Sequence, residues 1–458
     1  MIPVIRMNPW LAALKELVSA SNAGMQQTRY DRDQRITMNC GIRRKSLTLC
    51  PCDTMSGTIV VRRAAAFPYR MDTRSLLESL RACLKEFPYF CGRLHQSAES
   101  WSIDGSDAGM PVSIIHHDRD MPAFGYQNSM KKIMHKLCEP LAFNQGNKDK
   151  PLVGIRITHY RNGTVIGISN SHVMMDGSGA WQFLQRWADH YRQQALPAQF
   201  TQDRRPLIFS EAEASQAVAS PYYSATKKSK IDVGIFFARC LATTLTCKTI
   251  VMHIPGARLT EEKQKILSCL PKNQWVSTQD AAMALLVKPL LAITRKPNMV
   301  FGTIYNFRHL PELGLTPQYI GNAATAREFI MPRHSDTIAI AATLRQLADT
   351  LLPKHVQADL QYMQANIPLD EGLQHHAPFI TQQFDDGVIL NNYTKFPMYQ
   401  VDFGHGTAIW ADYPEVTLNR SITLLPDPQG DGVAAHITLP RNEMKSFNTH
   451  LKITESQF

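Results

Sequence analysis

ISNSHVMMDGSGAWQFLQRWA, Ile168 to Ala188, passes from a strand-like run to a helix-like one across a histidine, three intervening residues and Asp-Gly. Upstream, two runs rich in Val, Ile and Thr, Leu152 to Tyr160 and Thr164 to Ser169, are joined by Arg161-Asn162-Gly163. Asn-Gly supplies the positive-φ residues of a tight turn, so the two runs read as a β-hairpin. Downstream, Ala180, Phe183, Leu184, Trp187, Ala188 and Tyr191 fall on one stripe at helical spacing. The segment therefore reads as strand, loop and helix, with His172 on the loop, where a rigid scaffold can hold a reactive side chain.

The rest of the chain supports a mixed fold. Leu76, Leu77, Leu80, Cys83, Leu84 and Phe87 recur at helical intervals, with Ser75 and Glu78 spaced as a capping box and Pro88 as a stop. Ser277-x-x-Asp280 precedes an Ala/Leu-rich helix, Met299 to Tyr305 and Met398 to Phe403 read as strands, and Ile422 to Leu425 with Val433 to Leu439 flank a turn. Between Leu196 and Gly234 the composition turns polar and loses periodicity, which marks a linker. The expected architecture is α/β (α+β) in two lobes: a first lobe over 46–205, a crossover over 206–234 and a second lobe over 235–458, with 1–45 as an unassigned extension. Within that extension Trp10, Leu14, Leu17 and Val18 suggest a short amphipathic helix.

Composition narrows the function classes. With 458 residues, 44% hydrophobic and 19% charged, the chain has the make-up of a globular protein of two or three domains. Its net charge of +10 is spread out. The tightest clusters, Arg43-Arg44-Lys45 and Lys227-Lys228-Ser229-Lys230, lack the interleaved aromatics of a single-strand binder, so nucleic acid is not an expected partner. Nine cysteines, with Cys50-Pro51-Cys52 matching neither a redox pair nor a zinc spacing, point to a reducing, cytoplasmic setting. No apolar run approaches the roughly 20 residues that cross a bilayer. The adjacent pairs His116-His117 and His375-His376 would point to opposite faces of a strand, so no metal site is expected.

An imidazole on the loop can take a proton from a hydroxyl or amine near neutral pH and return it to a leaving group. Gly177 would permit a backbone turn that a Cβ hinders. Asp176 can either orient the imidazole or turn away and pair with a cation that fixes the loop. A polar loop with no chemistry competes with both.

Three segments of the second half, NNYTKFPMYQVDFGHGTAIWADYP, TIYNFRHLPELGLTPQYIGNA and STQDAAMALLVKPL, read with the first motif, resemble the BAHD family of CoA-dependent acyltransferases. That family carries His-x-x-x-Asp-Gly in mid-chain and Asp-Phe-Gly-Trp-Gly near the C-terminus. The likeness runs in order from about Leu47 to Phe447 and includes FPYFCGRL and TQDRRPLIF. It implies two chloramphenicol-acetyltransferase-like lobes with a channel between them. His172 would be the general base, and Asp176 a structural residue paired with Arg308. Asp402, Phe403, Gly404 and Gly406 would support the fold away from the chemistry. Asn391 or Asn392 is the candidate oxyanion donor. Ser277 and Thr278, at a helix N-terminus, are candidates to receive a CoA phosphate. His405 stands where the family has Trp, which puts the usual packing there in doubt, and Asn306 stands where Asp is common.

The expected activity is acyl transfer from acyl-CoA to a hydroxyl or amine of a small-molecule acceptor, by a monomer with no permanently bound cofactor. Two alternatives stand beside it. A condensation-type enzyme would take its acyl group from a carrier-protein thioester, but that group has His-His where Ser171-His172 stands here. A non-catalytic binding protein of the same fold would have no need of His172.

Overall fold

In a computed structural model of the chain, the structure describes residues 33–451 except 58, 98–99, 143–149, 195–198, 225, 228, 230, 232–233, 236–237, 240–241, 243–244, 367–375, 378–386 and 414–419. The helix expected around Trp10 and the histidine at 375 lie outside the described residues.

The hairpin forms as read, Val153–His159 antiparallel to Thr164–Ser171. Its turn differs in detail. Neither Asn162 nor Gly163 has a positive φ; instead the Asn162 Oδ1 accepts the Met121 N–H at 2.7 Å and ties the turn to a neighbouring loop. The hairpin is the centre of a six-stranded mixed sheet in the order 34–38, 110–116, 153–159, 164–171, 60–67, 410–412. Every residue of Thr164–Ser171 is buried, because helices cover one face of the strand and the segment around Met134 and Cys138 covers the other.

Helices Thr73–Leu84 and Gly177–Tyr191 bury their stripes on that first face, through Leu76, Leu80, Phe183, Leu184 and Trp187. Each such side chain withdrawn from water contributes roughly 1.5–3 kcal/mol. The first of these helices starts two residues earlier than its candidate cap. Asp72, not Ser75, is the N-cap, and its carboxylate accepts the Ser75 N–H at 2.8 Å.

The second sheet has the order 247–254, 433–440, 421–426, 388–392, 298–306, 324–332, again mixed. Its core is closed by Gly256–Cys269, Thr278–Ile293, Thr337–Asp349 and Arg441–Leu451. No helix among the described residues is long and apolar enough to cross a membrane.

Two boundaries read from sequence are corrected. Gln34–Met38, placed in the extension 1–45, is the edge strand of the first sheet and pairs with Met110–His116. Trp410–Asp412, placed in the second lobe, pairs antiparallel with Ala64–Ala66 and completes the first sheet. Met398 to Phe403, read as a strand, is a loop on the way there that buries Met398, Val401 and Phe403. The chain therefore returns to the first lobe before finishing in the second. The crossover holds the short helix Glu211–Ser215, docked near Pro353–Asn366 where the Gln364 side chain exchanges two hydrogen bonds with the Phe209 backbone, at 3.0 and 2.6 Å.

Candidate active site

His172 follows the last residue of its strand, and its backbone N–H donates to the Ile59 carbonyl at 2.7 Å. Its ring meets a residue of the other lobe: Nδ1 lies 3.1 Å from the Asn322 Oδ1. The Asn322 Nδ2 donates to the Asp53 Oδ1 at 2.8 Å and to the His172 carbonyl at 2.8 Å. Asp53 is fully buried, and its Oδ2 accepts from the Arg204 Nε at 3.1 Å. The order of donors and acceptors settles the tautomer. A carboxylate only accepts, so the Asn322 NH2 faces Asp53 and its carbonyl faces the ring. The Nδ1 then carries the proton, and Nε2 keeps the lone pair. Burial lowers the His172 pKa; the Asp176 carboxylate opposes the shift and the Arg63 guanidinium adds to it. A ring held neutral in this way is a base at neutral pH.

Asp176 turns away from the imidazole. It is the N-cap of Gly177–Tyr191, accepting the Gly179 N–H at 2.9 Å, and it also accepts the Ala323 N–H at 3.1 Å. Arg308 grips it in a bidentate pair at 2.8 and 2.9 Å and spends its other donors on the carbonyls of Tyr319 and Gly321 and on the Asn306 Oδ1. Burial alone would raise the Asp176 pKa, but the guanidinium charge and the N–H donors outweigh it and hold the carboxyl below its usual range. Asn306, where an acid is common in the family, accepts the Arg308 N–H at 2.9 Å and so shapes the same corner. Gly177 is needed for a reason other than the backbone turn: a Cβ there would sit 2.8 Å from the Phe396 ring.

The remaining candidates fall elsewhere. Asp402 accepts the N–H groups of Gly404 and Gly406 at 2.7 and 3.0 Å, and both glycines have positive φ, 107° and 106°, which closes the loop on its own carboxylate. Phe403 is the packing residue of that motif, edge-on to Phe67, Trp187 and Tyr191. His405 is exposed against Tyr69, so the change from Trp falls on a position that carries little of the core. The Asn391 Nδ2 makes a long 3.5 Å contact with the Thr423 hydroxyl, and the Asn392 Oδ1 accepts from the Thr394 N–H and hydroxyl. Neither shares a hydrogen bond with the His172 network among the described residues. Ser277 caps Thr278–Ile293 in a reciprocal box with Asp280: its N–H donates to the Asp280 Oδ2 at 2.8 Å and its Oγ accepts the Asp280 N–H at 3.1 Å. His116 stacks on His159 at 5.1 Å, and His117 meets the Tyr160 ring at a tilt, 5.0 Å between centres. A different trio, Cys40, Cys91 and Asp107, brings possible metal-ligating atoms within 4.8 Å of one another, but both Asp107 oxygens are taken by the N–H groups of Cys40 and Gly41.

Asn322, Asp53, Arg204 and Arg63 escaped the sequence reading. The first three stand in YIGNA, CPCDTMS and TQDRRPLIF, far apart in the chain, and only the fold shows that they meet. The signal for Arg63 was an arginine pair inside an otherwise apolar strand.

BAHD acyltransferase BIA1 of Arabidopsis thaliana is 22% identical over 397 residues, 82% of this chain and 83% of the relative. The fold is shared with vinorine synthase, at a TM-score of 0.69 and 17% identity over 91% of this chain and 96% of that one. It is also shared with F. graminearum TRI101 in complex with ethyl coenzyme A, at a TM-score of 0.67 and 13% identity over 88% of this chain and 97% of that one. The model of the Transferase family matches residues 32–454, and the chain belongs to that family, as an acyltransferase of the BAHD group.

Proposed function

We propose that the protein transfers an acyl group from acyl-CoA to a hydroxyl or amine of a small-molecule acceptor, with the Nε2 of His172 as general base. The observation that carries this is the His172–Asn322–Asp53 chain, which supports one tautomer and leaves the basic nitrogen for the acceptor. The acceptor attacks the thioester carbonyl as its proton passes to Nε2. The tetrahedral oxyanion needs a preorganised donor, for which Asn391 or Asn392 is the proposed residue. Collapse breaks the C–S bond, and the proton on His172 goes to the departing CoA thiolate. The ethyl coenzyme A bound to TRI101, on the same fold, supports CoA as donor. Ser277 and Thr278 are not carried forward as phosphate ligands, since Asp280 already fills their cap.

The test is free-thiol release from a panel of acyl-CoAs with alcohol and amine acceptors, followed across pH. The lowered His172 pKa means that the neutral base persists below the ordinary value of 6.5. The log of kcat/KM is therefore level near neutrality and falls as pH drops through an apparent pKa under 6.5. Asn322→Leu removes the acceptor of the Nδ1 proton and lowers kcat with little change in KM. A rate that rises on acidification, or turnover only from a carrier-protein thioester, would overturn the reading.

A further inference from the structure

Away from the His172 site, three segments bring soft and hard metal-ligating atoms together at the edge of the first sheet. Cys40 lies two residues past the edge strand Gln34–Met38, Cys91 closes the turn Pro88–Cys91, and Asp107 stands in the loop between Trp101–Gly105 and Met110–His116. The two Sγ atoms and a carboxylate oxygen all lie within 4.8 Å of one another. Both thiols are buried, whereas Asp107 is half-buried beside exposed Asn39 and Gly41, so the carboxylate side of the cluster faces the surface.

The loop that carries Asp107 is fixed at several points. Asp107 has a left-handed backbone, φ 57°, and its carbonyl accepts from the Asn39 side chain. Its Oδ1 and Oδ2 accept the N–H groups of Cys40 and Gly41 at 2.8 and 2.9 Å. Arg93 holds the carbonyls of Ala108 and Gly109 at 3.2 and 2.9 Å, and the Gly109 N–H donates to the Cys91 carbonyl at 2.9 Å. One N–H on each carboxylate oxygen leaves a lone pair on each, and metal-bound carboxylates are ordinarily oriented by such bonds. The S–H groups of Cys40 and Cys91 rest on the carbonyls of Ile42 and Met38 at 3.4 and 3.5 Å, weak contacts that a metal–sulfur bond outweighs.

We infer that Cys40, Cys91 and Asp107 form a binding site for a borderline-soft divalent cation of the zinc type, separate from the catalytic residues and independent of the proposed acyl transfer. Two thiolates favour zinc over magnesium or calcium, which take oxygen ligands. Zinc–sulfur bonds of about 2.3 Å put tetrahedral ligand atoms roughly 3.8 Å apart, so the cluster closes on an ion by movements of about 1 Å or less. Binding replaces two S–H bonds by two Zn–S bonds, the two protons leave to solvent, and no electrons move. A water on the Asp107 side completes four-coordination. The ion joins the exit of the edge strand to the turn before Leu94–Gln96 and to the loop before Met110–His116, the strand with which the edge strand pairs. A Cys40–Cys91 disulfide is the other product that two close thiols allow. It needs a thiolate to attack, and burial with the neighbouring Asp107 carboxylate holds both thiols above their usual range, whereas a bound cation itself drives deprotonation.

The test uses the full chain, stripped with a chelator and titrated with Zn²⁺ under reducing conditions. One ion binds per chain with a dissociation constant below about 1 μM, and the melting temperature of the loaded protein rises by several degrees. Cd²⁺ in its place gives a thiolate-to-metal ultraviolet band. Cys40→Ala and Cys91→Ala each weaken binding by more than about 100-fold and abolish the melting shift, whereas Cys269→Ala, which removes an exposed thiol, changes neither. X-ray absorption of the zinc-loaded wild type, which requires no variant to fold, shows two sulfur neighbours.

Binding weaker than about 1 μM would overturn the inference. So would tight binding that survives both Cys40→Ala and Cys91→Ala, or a metal shell of oxygen and nitrogen alone. A wild-type mass short by two hydrogen atoms under the same conditions, restored by a stronger reductant, would assign the pair to a disulfide instead.

Discussion

His172→Ala lowers kcat by about 10²–10⁴-fold, the range lost when a positioned general base is removed. CoA affinity and the folded state change little, because the ring contributes one side-chain hydrogen bond to Asn322 while the backbone N–H keeps its bond to Ile59. Asn322 retains its bonds to Asp53 and to the His172 carbonyl in the variant, so the wall of the site stays in place. Circular dichroism and calorimetric CoA binding check that the loss is chemical. Full activity in this variant would remove His172 from the mechanism.

Breaking the Asp176–Arg308 pair has the largest expected effect on stability. Either Asp176→Asn or Arg308→Met strands a charge at a junction where both partners are almost entirely buried, at a cost of about 3–5 kcal/mol. Arg308→Met also frees the carbonyls of Tyr319 and Gly321. The double variant Asp176→Asn/Arg308→Met leaves no unpaired charge and is much less harmful than the sum of the two singles. Denaturant unfolding of the four proteins closes the cycle, and a coupling energy near zero would show that the pair does not bind the loop to the second lobe.

What could be read from the sequence follows from the range of the forces involved. The hairpin, the helix after Asp176 and the capped helix from Ser277 are local: period, turn residues and caps lie within a few positions of one another. Pairings across the chain carry no local mark. Trp410–Asp412 joins the first sheet because its partner Ala64–Ala66 offers an open edge, a fact about the fold and not about either segment. Met398, Val401 and Phe403 are apolar because a loop buries them, and their apolarity alone does not separate that loop from a strand.

At the site, His172, Asp176 and Arg308 stood out through a motif and a family likeness, and the structure places Asp176 and Arg308 in contact. The group that orients the imidazole is Asn322, backed by Asp53 and Arg204, contributed from three separate stretches. Gly177 was noticed for its backbone, whereas its side-chain space belongs to Phe396.

The central claim is that the acceptor attacks the thioester directly under base catalysis by His172. The rival is a covalent acyl-enzyme on a nearby hydroxyl, and Ser171 and Ser178 are close in sequence. The Ser171 Oγ is buried without a hydrogen-bond partner, and the Ser178 Oγ accepts from the Gln182 Nε2 at 3.1 Å, so neither is activated by His172. Initial rates at varied acyl-CoA and several fixed acceptor concentrations decide between the two. Direct attack requires both substrates to be bound before CoA leaves, and the double-reciprocal lines intersect. Parallel lines, together with an acyl adduct seen by intact mass after incubation with acyl-CoA alone, would contradict the account.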